Sequence, residues 1–545
     1  MTLLAGASAQ SLTDRFFDEY YFPFNPGNAT YQGIHAYDNQ LNDTSPAGRT
    51  KRGAVLRQFE ADFSKQPSGT DRDMILSAIR ADLLELDVVR NWERNPDFYP
   101  SMISSAVFTI MKRSYAPPEV RLRSVISREQ KALKLLQDAR GNLKNPPKIY
   151  TEIALEQLPG TIGFFEKDVP LAFNAVKDAK LLAEFKQANR QVMQALREFE
   201  AFLKKDILPK SNGDYRIGAD TFSKKLLYEE MVDIPLDRLL EIGYADLRAN
   251  QKKFREVAAS INKASPANLV LASTMKDHPA PANLLEEFRQ TTAKLRDYIV
   301  AKKIVTLPSP LLPILEETPP FMRATTLASM DTPGPYEANA KEAYFNVTLP
   351  EKSWTKERAE DFMGSFNRGT ILATAVHEAY PGHYTQFLWM HTLDSRVRKL
   401  LGAASNAEGW AHYTEQMILD EGYSIDPRLR LGQLQDALLR NGRYIAGIEM
   451  HTGKRTFESA VEFFQKECYQ PHETAMLETK RGTSDPTYLY YTLGKLQILK
   501  LREDYKKMRG AKYSLLEFHD NFMKQGFPPI KIVRRAMLGN DSPTL

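Results

Sequence analysis

Six of the nine histidines, His377, His383, His391, His412, His451 and His472, fall in one short part of the chain. Two segments there combine residue types that can hold a metal ion and activate water: His377-Glu-Ala-Tyr-Pro-Gly-His383 and Asn406-Ala-Glu-Gly-Trp-Ala-His-Tyr-Thr-Glu415. In the pattern H-E-x-x-H, four residues advance a helix by about 400°, so both imidazoles meet one metal with the glutamate beside it. Here the spacing is six residues, about 600°, which on an unbroken helix sets the rings roughly 120° apart. His377 and His383 can therefore share a metal only if the helix is interrupted between them. Pro381 cannot donate to the carbonyl of His377, and Gly382 tolerates almost any backbone conformation. The Pro-Gly pair is expected to loop out and return His383 to the face that His377 occupies.

A third protein ligand is expected at Glu408, 25 residues after His383, on a helix capped by Ser405 or Asn406. This is the spacing of about 20–25 residues, on a second helix, found in His-His-Glu zinc sites. Glu415, two turns on along the same face, could orient a ligand histidine from behind. His412, one turn from Glu408, competes as a ligand. His391, His472 and His519 are read as structural, and His35 carries no readable chemistry.

The elements that must position these groups are mostly helices. Apolar residues recur at helical spacing through Lys180–Leu203 and again from Leu122 to Leu136, before Pro146-Pro147 interrupts. Further helices are expected near 74–90, 236–261, 283–303, 355–376, 407–420, 431–448 and 493–507. Between Pro319 and Pro350 the pattern changes to extended pieces, Met322–Ser329 and Ala343–Leu349, about the turn Asp331-Thr-Pro-Gly-Pro335, so a small antiparallel sheet is expected there. Residues 12–545 read as a single large helical domain, able to divide into two lobes, with seams at Asn212-Gly213-Asp214 or Ser265-Pro266.

The 545 residues carry a net charge of +5, too mild and diffuse to point to nucleic acid. No apolar run of about 18 residues predicts an integral membrane segment. Cys468 is the single cysteine, which excludes an internal disulfide and a thiolate metal cluster. Residues 1–11 read as a disordered N-terminus or as the remnant of an export signal ending in Ala7-Ser8-Ala9. The second reading makes the protein periplasmic or secreted, the first leaves it free to be cytoplasmic.

The segments HEAYPGHYTQ and EGWAHYTEQ, with Tyr491-Thr-Leu-Gly-Lys-Leu-Gln-Ile-Leu-Lys-Leu-Arg502, resemble the bacterial domain-of-unknown-function 885 family, whose hallmarks are HExxPGHxxQ, EGWAxYxE and YxxGxxxIxxLR. The likeness extends through Tyr336-Glu-Ala-Asn339, Tyr344-Phe-Asn-Val-Thr-Leu-Pro350, Tyr215-Arg-Ile-Gly218 and Ala29-Thr-Tyr-Gln-Gly-Ile-His-Ala-Tyr-Asp38, and so covers nearly the whole chain. That family is similar to helical gluzincin peptidases of the angiotensin-converting-enzyme, thimet-oligopeptidase and thermostable-carboxypeptidase kind. The resemblance implies a mostly α fold with a central cleft, and a small sheet whose edge strand holds the substrate. It also implies one zinc ion per chain on His377, His383 and Glu408, with Glu378 as general base. A downstream histidine and arginine of the family match His451 and Arg443, although the commoner form there reads D-x-G-x-H followed by tryptophan, and this chain has Gly447 and Arg455 instead. Tyr491 matches the family's tyrosine, with Tyr488 and Tyr490 close enough to compete.

These residues define an expected chemistry. A three-ligand zinc leaves a position for water, whose proton Glu378 would accept and pass to the leaving amine. Cobalt or manganese could replace zinc. Tyr491 and His451 are candidates to stabilise an oxyanion, and Arg443 or Arg502 to hold a substrate carboxylate. The leading expectation is a zinc metallopeptidase acting on short peptides or small amides. Two other readings stand beside it: a metal-dependent amidase or esterase on non-peptide substrates, and a non-catalytic peptide-binding protein on the same fold.

Overall fold

A computed structural model describes residues 10–319, 323 and 326–545. The Ala7-Ser8-Ala9 segment and part of the piece expected from Met322 lie outside the described residues. The chain is mostly α-helical, with one three-stranded sheet, and no helix among the described residues is long and apolar enough to cross a membrane. It divides into two compact units, one running to Gly213 and taking in Pro333–Lys341, the other comprising Asp214–Thr332 and Glu342–Leu545.

In the first unit α1 (Pro118–Asn142) packs along α2 (Ala179–Phe202). Asp178 caps α2 by accepting from the Leu181 amide at 3.0 Å, and Leu181, Phe185, Val192, Leu196 and Phe199 form its buried stripe, as their spacing requires. Two fully buried ionisable residues of α1 are met unequally by their surroundings, Glu129 Oε2 being left without a partner among the described residues. Arg128 donates to the Gln40 carbonyl at 3.0 Å and the Thr30 hydroxyl at 2.6 Å, while Glu129 accepts from Asn189 at 3.1 Å. The Pro333–Lys341 excursion is fixed by the N-terminal turn: His35 lies between Asp38 (3.1 Å) and Glu337 (2.9 Å), and the Tyr336 amide donates to the Gln32 carbonyl at 3.0 Å.

The second unit contains α3 (Leu236–Ile261), a sheet of β1 (Ile314–Glu317), β2 (Ala328–Asp331) and β3 (Tyr344–Val347), and six helices that matter here. These are α4 (Arg368–Glu378), α5 (His383–Met390), α6 (Ala404–Asp420), α7 (Pro427–His451), α8 (His472–Ser484) and α9 (Tyr490–Arg509). The sheet is mixed, in the order β1-β3-β2. β2 pairs antiparallel with β3, Met330 opposite Phe345, whereas β1 pairs parallel with it, Leu315 opposite Phe345. The expected antiparallel sheet thus gains a parallel strand lying before Pro319. Four residues reading Ile-Leu-Glu-Glu, with no clean alternation, gave it no period-2 signal.

The helix expected over 355–376 is also broken. It runs from Lys356 to Met363, passes through a tight turn at Gly364–Phe366, and restarts as α4. Asn367 causes the restart, its side-chain oxygen accepting from the amides of Gly369 (3.0 Å) and Thr370 (3.2 Å). The cap expected from Ser405 or Asn406 on α6 is replaced by a distant residue: buried Glu230 accepts the Ser405 amide at 3.1 Å. A carboxylate at a helix N-terminus opposes the positive end of the helix dipole.

Candidate metal centre

The Pro-Gly interruption acts more completely than a loop within one helix. α4 stops at Glu378, the Tyr380–Pro381 peptide is cis, and His383 opens a separate helix. Gly382 is required by close approach. A β-carbon there would stand 2.0 Å from the His377 carbonyl oxygen and 2.2 Å from that of Val376. The turn folds so tightly onto the end of α4 that the two imidazole centroids come to 4.7 Å, with ring planes at 86°.

α6 delivers the third group, and three successive residues do different work. Glu408 points at the histidines. Gly409 lets α6 cross α9 at Gly494, where an added β-carbon would lie 2.5 Å from the Gly494 Cα, and one on Gly494 1.8 Å from the Ser405 carbonyl oxygen. Trp410, fully buried, donates its indole N–H to the Pro381 carbonyl at 2.8 Å and so ties α6 to the turn. Gln386 on α5 adds a bond to Asn406 at 3.2 Å.

Glu408 Oε2 lies 3.3 Å from His377 Nε2 and 3.4 Å from His383 Nε2. These three residues are the one His/Cys/Asp/Glu group among the described residues whose ligand atoms all fall within 4.8 Å of one another. Oε2 is shut off from water and makes no hydrogen bond, an expensive state for a carboxylate oxygen unless a cation sits there. In a tetrahedral zinc site with bonds of about 2.0–2.1 Å, neighbouring ligand atoms stand about 3.3–3.4 Å apart. The donor set and its spacing fit such an ion.

Glu415 lies behind His377, its Oε1 2.7 Å from Nδ1 and its Oε2 3.0 Å from His412 Nδ1. An ionised carboxylate only accepts, so in the neutral imidazole the His377 proton sits on Nδ1, the tautomer whose Nε2 lone pair can face a metal ion. Arg440 of α7, which sequence reasoning missed, donates to both Glu415 oxygens at 2.9 and 3.0 Å. Burial alone would raise the Glu415 pKa, but Arg440, His412 and His377 outweigh it and hold it far below the usual carboxylate range. His412 is spent on Glu415 and is not a ligand. Burial and the nearby Lys495 ammonium depress its pKa to about 3. Burial also lowers the His377 pKa, but Glu408 and Glu415 reverse this and take it to about 10. The pocket therefore favours positive charge at that ring. On α7, Asp436 is pushed up to about 6 by burial, against the pull of Arg440.

Glu378, next to His377, is raised above its ordinary pKa by burial, with His377 and His383 opposing and Glu408 reinforcing, and it accepts the backbone N–H of Met330 on β2. Of the three tyrosines, Tyr491 faces the centre: its ring lies 6.4 Å from that of His377 at 29°. Tyr488 is fully buried, with its hydroxyl 3.4 Å from the Glu478 carbonyl, and Tyr490 donates to Asp485 at 3.1 Å. The guanidinium carbons of Arg440, Arg443 and Arg481 lie 5.6, 4.9 and 5.8 Å from the Tyr491 ring centre.

The structure places other expected residues elsewhere. His451 is fully buried between the rings of Tyr215 and Phe222, with Nε2 2.8 Å from the Gly482 carbonyl, so this imidazole serves packing and cannot reach a substrate. Arg502 donates to the Tyr413 hydroxyl (3.0 Å) and to Glu421 (3.1 Å) rather than to an open site. Arg443 makes a bidentate pair with Glu478 at 2.7 and 2.8 Å, both side chains nearly enclosed, so its charge is already met. Its contribution is to support Tyr491. Sequence spacing could have found Arg440, which lies three residues before Arg443 and hence on the same face of α7. Arg481, 38 residues from Arg443, gave no such signal.

Comparison with other proteins agrees with this architecture. A family model described as "Bacterial protein of unknown function (DUF885)" matches residues 26–537. No curated protein matches the sequence. A solved structure described as "a putative lipoprotein of unknown function", from Shewanella oneidensis, is 26% identical, with a TM-score of 0.81 over 97% of this chain and 100% of its own. Another, described as "the putative lipoprotein from Colwellia psychrerythraea", superposes with a TM-score of 0.82 over 98% of this chain and 99% of its own. At 17% identity that second likeness is one of fold. The chain belongs to the DUF885 family.

Proposed function

We propose that this member of the DUF885 family is a zinc-dependent hydrolase that cleaves amide bonds of short peptides, with Glu378 as its general base. The observation that carries the reading is the convergence of His377 Nε2, His383 Nε2 and the unbonded Glu408 Oε2 at separations suited to a tetrahedral ion, with Glu378 alongside. When bound, zinc with three protein ligands supplies an acidified water and polarises a carbonyl.

The chain's own residues supply the rest. Glu378 has a pKa raised by burial, which suits a group that takes up a proton and then gives it to a leaving amine. The Met330 amide fixes that carboxylate relative to β2. β2 is an edge strand, so an extended peptide could add to it by backbone hydrogen bonds. Tyr491 is the donor available to a developing oxyanion.

Elemental analysis of protein prepared without chelator or nickel is expected to give about one zinc per chain, lost in Glu408→Ala. Glu378→Ala is expected to keep the metal and abolish peptide hydrolysis. Full activity in that variant would overturn the catalytic scheme, and zinc binding with turnover of esters but not peptides would favour the esterase reading. The description of the similar structures as lipoproteins supports an envelope or secreted location, which cell fractionation tests.

A further inference from the structure

Three arginines face Tyr491, and they differ in how their charge is met. Arg440 gives two bonds to Glu415, and Arg443 gives two short bonds to the two oxygens of Glu478. Arg481 is held loosely. Its Nε and Nη2 both turn to a single oxygen of Asp485, at 3.3 and 3.2 Å, longer than the roughly 2.7–2.9 Å of a strong charge-assisted bond. Its side chain is 36% exposed, against 12% for each of the other two. Among the described residues its Nη1 has no hydrogen-bond partner.

Arg481 also stands beside the proposed reaction centre. Nη2 lies 3.1 Å from the Tyr490 hydroxyl and 3.4 Å from that of Tyr491, whose ring packs on His377. Taken end to end, the separations of 5.8 and 6.4 Å put the guanidinium within about 12 Å of the His377 ring. An extended peptide covers about 3.3–3.6 Å per residue, so no more than about three residues fit between the metal and Arg481. A partly exposed planar cation beside two hydroxyls, with only a weak intramolecular acceptor, is the arrangement that receives a carboxylate from outside.

We propose that Arg481, with the hydroxyl of Tyr490, binds the free C-terminal carboxylate of the substrate, so that the centre acts within one to three residues of a peptide's C-terminus. This rests on the peptide-hydrolase reading above, but it makes a claim about binding that is read separately. Asp485 is the resident carboxylate that the ligand displaces.

The test uses full-length, zinc-loaded Glu378→Gln protein, in which turnover is blocked, and calorimetry with N-acetylalanyl-phenylalanine as the free acid and as the C-terminal amide. The acid is expected to bind about 10- to 100-fold tighter than the amide, the worth of a hydrogen bond to a charged group. Adding Arg481→Gln should bring the ratio close to one, and Arg481→Lys should restore part of it. Adding Asp485→Asn should increase the preference, because the competing carboxylate is gone. This keeps the test decisive even if the glutamine variant fails to fold. Equal binding of acid and amide, binding of neither, or a preference that survives Arg481→Gln would overturn the proposal. Parent protein that prefers the acid but cleaves no peptide would remove the hydrolase reading and leave the carboxylate subsite standing.

Discussion

Gly494→Ala tests whether the α6–α9 crossing sets the geometry of the proposed zinc site. The added methyl would lie 1.8 Å from the Ser405 carbonyl oxygen, and bringing that contact out to 3.0 Å means separating the two helices by about 1.2 Å. Glu408 sits three residues along α6 from Ser405, so its carboxylate would move by a comparable amount. Metal–ligand distances tolerate about 0.2 Å. The variant should therefore lose more than overpacking alone predicts: about 1–3 kcal/mol of stability, together with a fall in zinc affinity of at least about tenfold. Gly141→Ala is the control, because Gly141 lies near the end of α1 with nothing within 4 Å of an added β-carbon. It should leave zinc affinity unchanged and be neutral or stabilising by up to about 1 kcal/mol. Chelator competition and thermal unfolding read both quantities. Unchanged zinc affinity in Gly494→Ala, or equal damage from Gly141→Ala, would refute the reasoning.

Two further outcomes are expected. Glu415→Gln keeps the shape behind His377 but leaves Arg440 without its counter-charge, and zinc affinity by chelator competition should fall about 10- to 100-fold. Glu129 is fully buried, and burial lifts its pKa to about 8, with Asn189 offsetting part of the effect. The folded state then holds a proton that the unfolded chain releases at the ordinary glutamate value, so stability falls as pH rises from about 4.5 to about 8. Glu129→Gln should remove this loss, raising the thermal midpoint at pH 8.5 by an amount worth up to about 5 kcal/mol and leaving it near the parent's at pH 4.

The chemistry that the proposed metal site would require made part of it legible. It restricts residue types and spacing so strongly that His377, His383, Glu408 and the orienting Glu415 stand out in one sequence. The long helices were legible because burial imposes a period, as Leu181, Phe185, Val192, Leu196 and Phe199 show. What escaped is either a short local feature or depends on partners far away in the chain. The break before α4 rests on one asparagine cap, β1 is four residues long, and α6 takes its N-terminal acceptor from Glu230. Arg443 and Arg502 looked available for substrate because a sequence does not reveal that Glu478 or Tyr413 already occupies them. His451 looked chemical, but its burial comes from Tyr215 and Phe222, more than two hundred residues earlier.

The excursion through Pro333–Lys341 has a consequence for inheritance. The chain leaves β2 at Asp331, spends nine residues in the other unit, and returns to form β3. The two units are interleaved, and no single cut yields two complete modules. Severing the gene at Gly213 would strip the first fragment of Glu337, the acceptor for His35, and leave the second with an undocked connection between two strands that must pair. A single crossover at that point therefore exchanges no complete unit, and fragments from either side of that cut are expected to recover the native fold only when produced together.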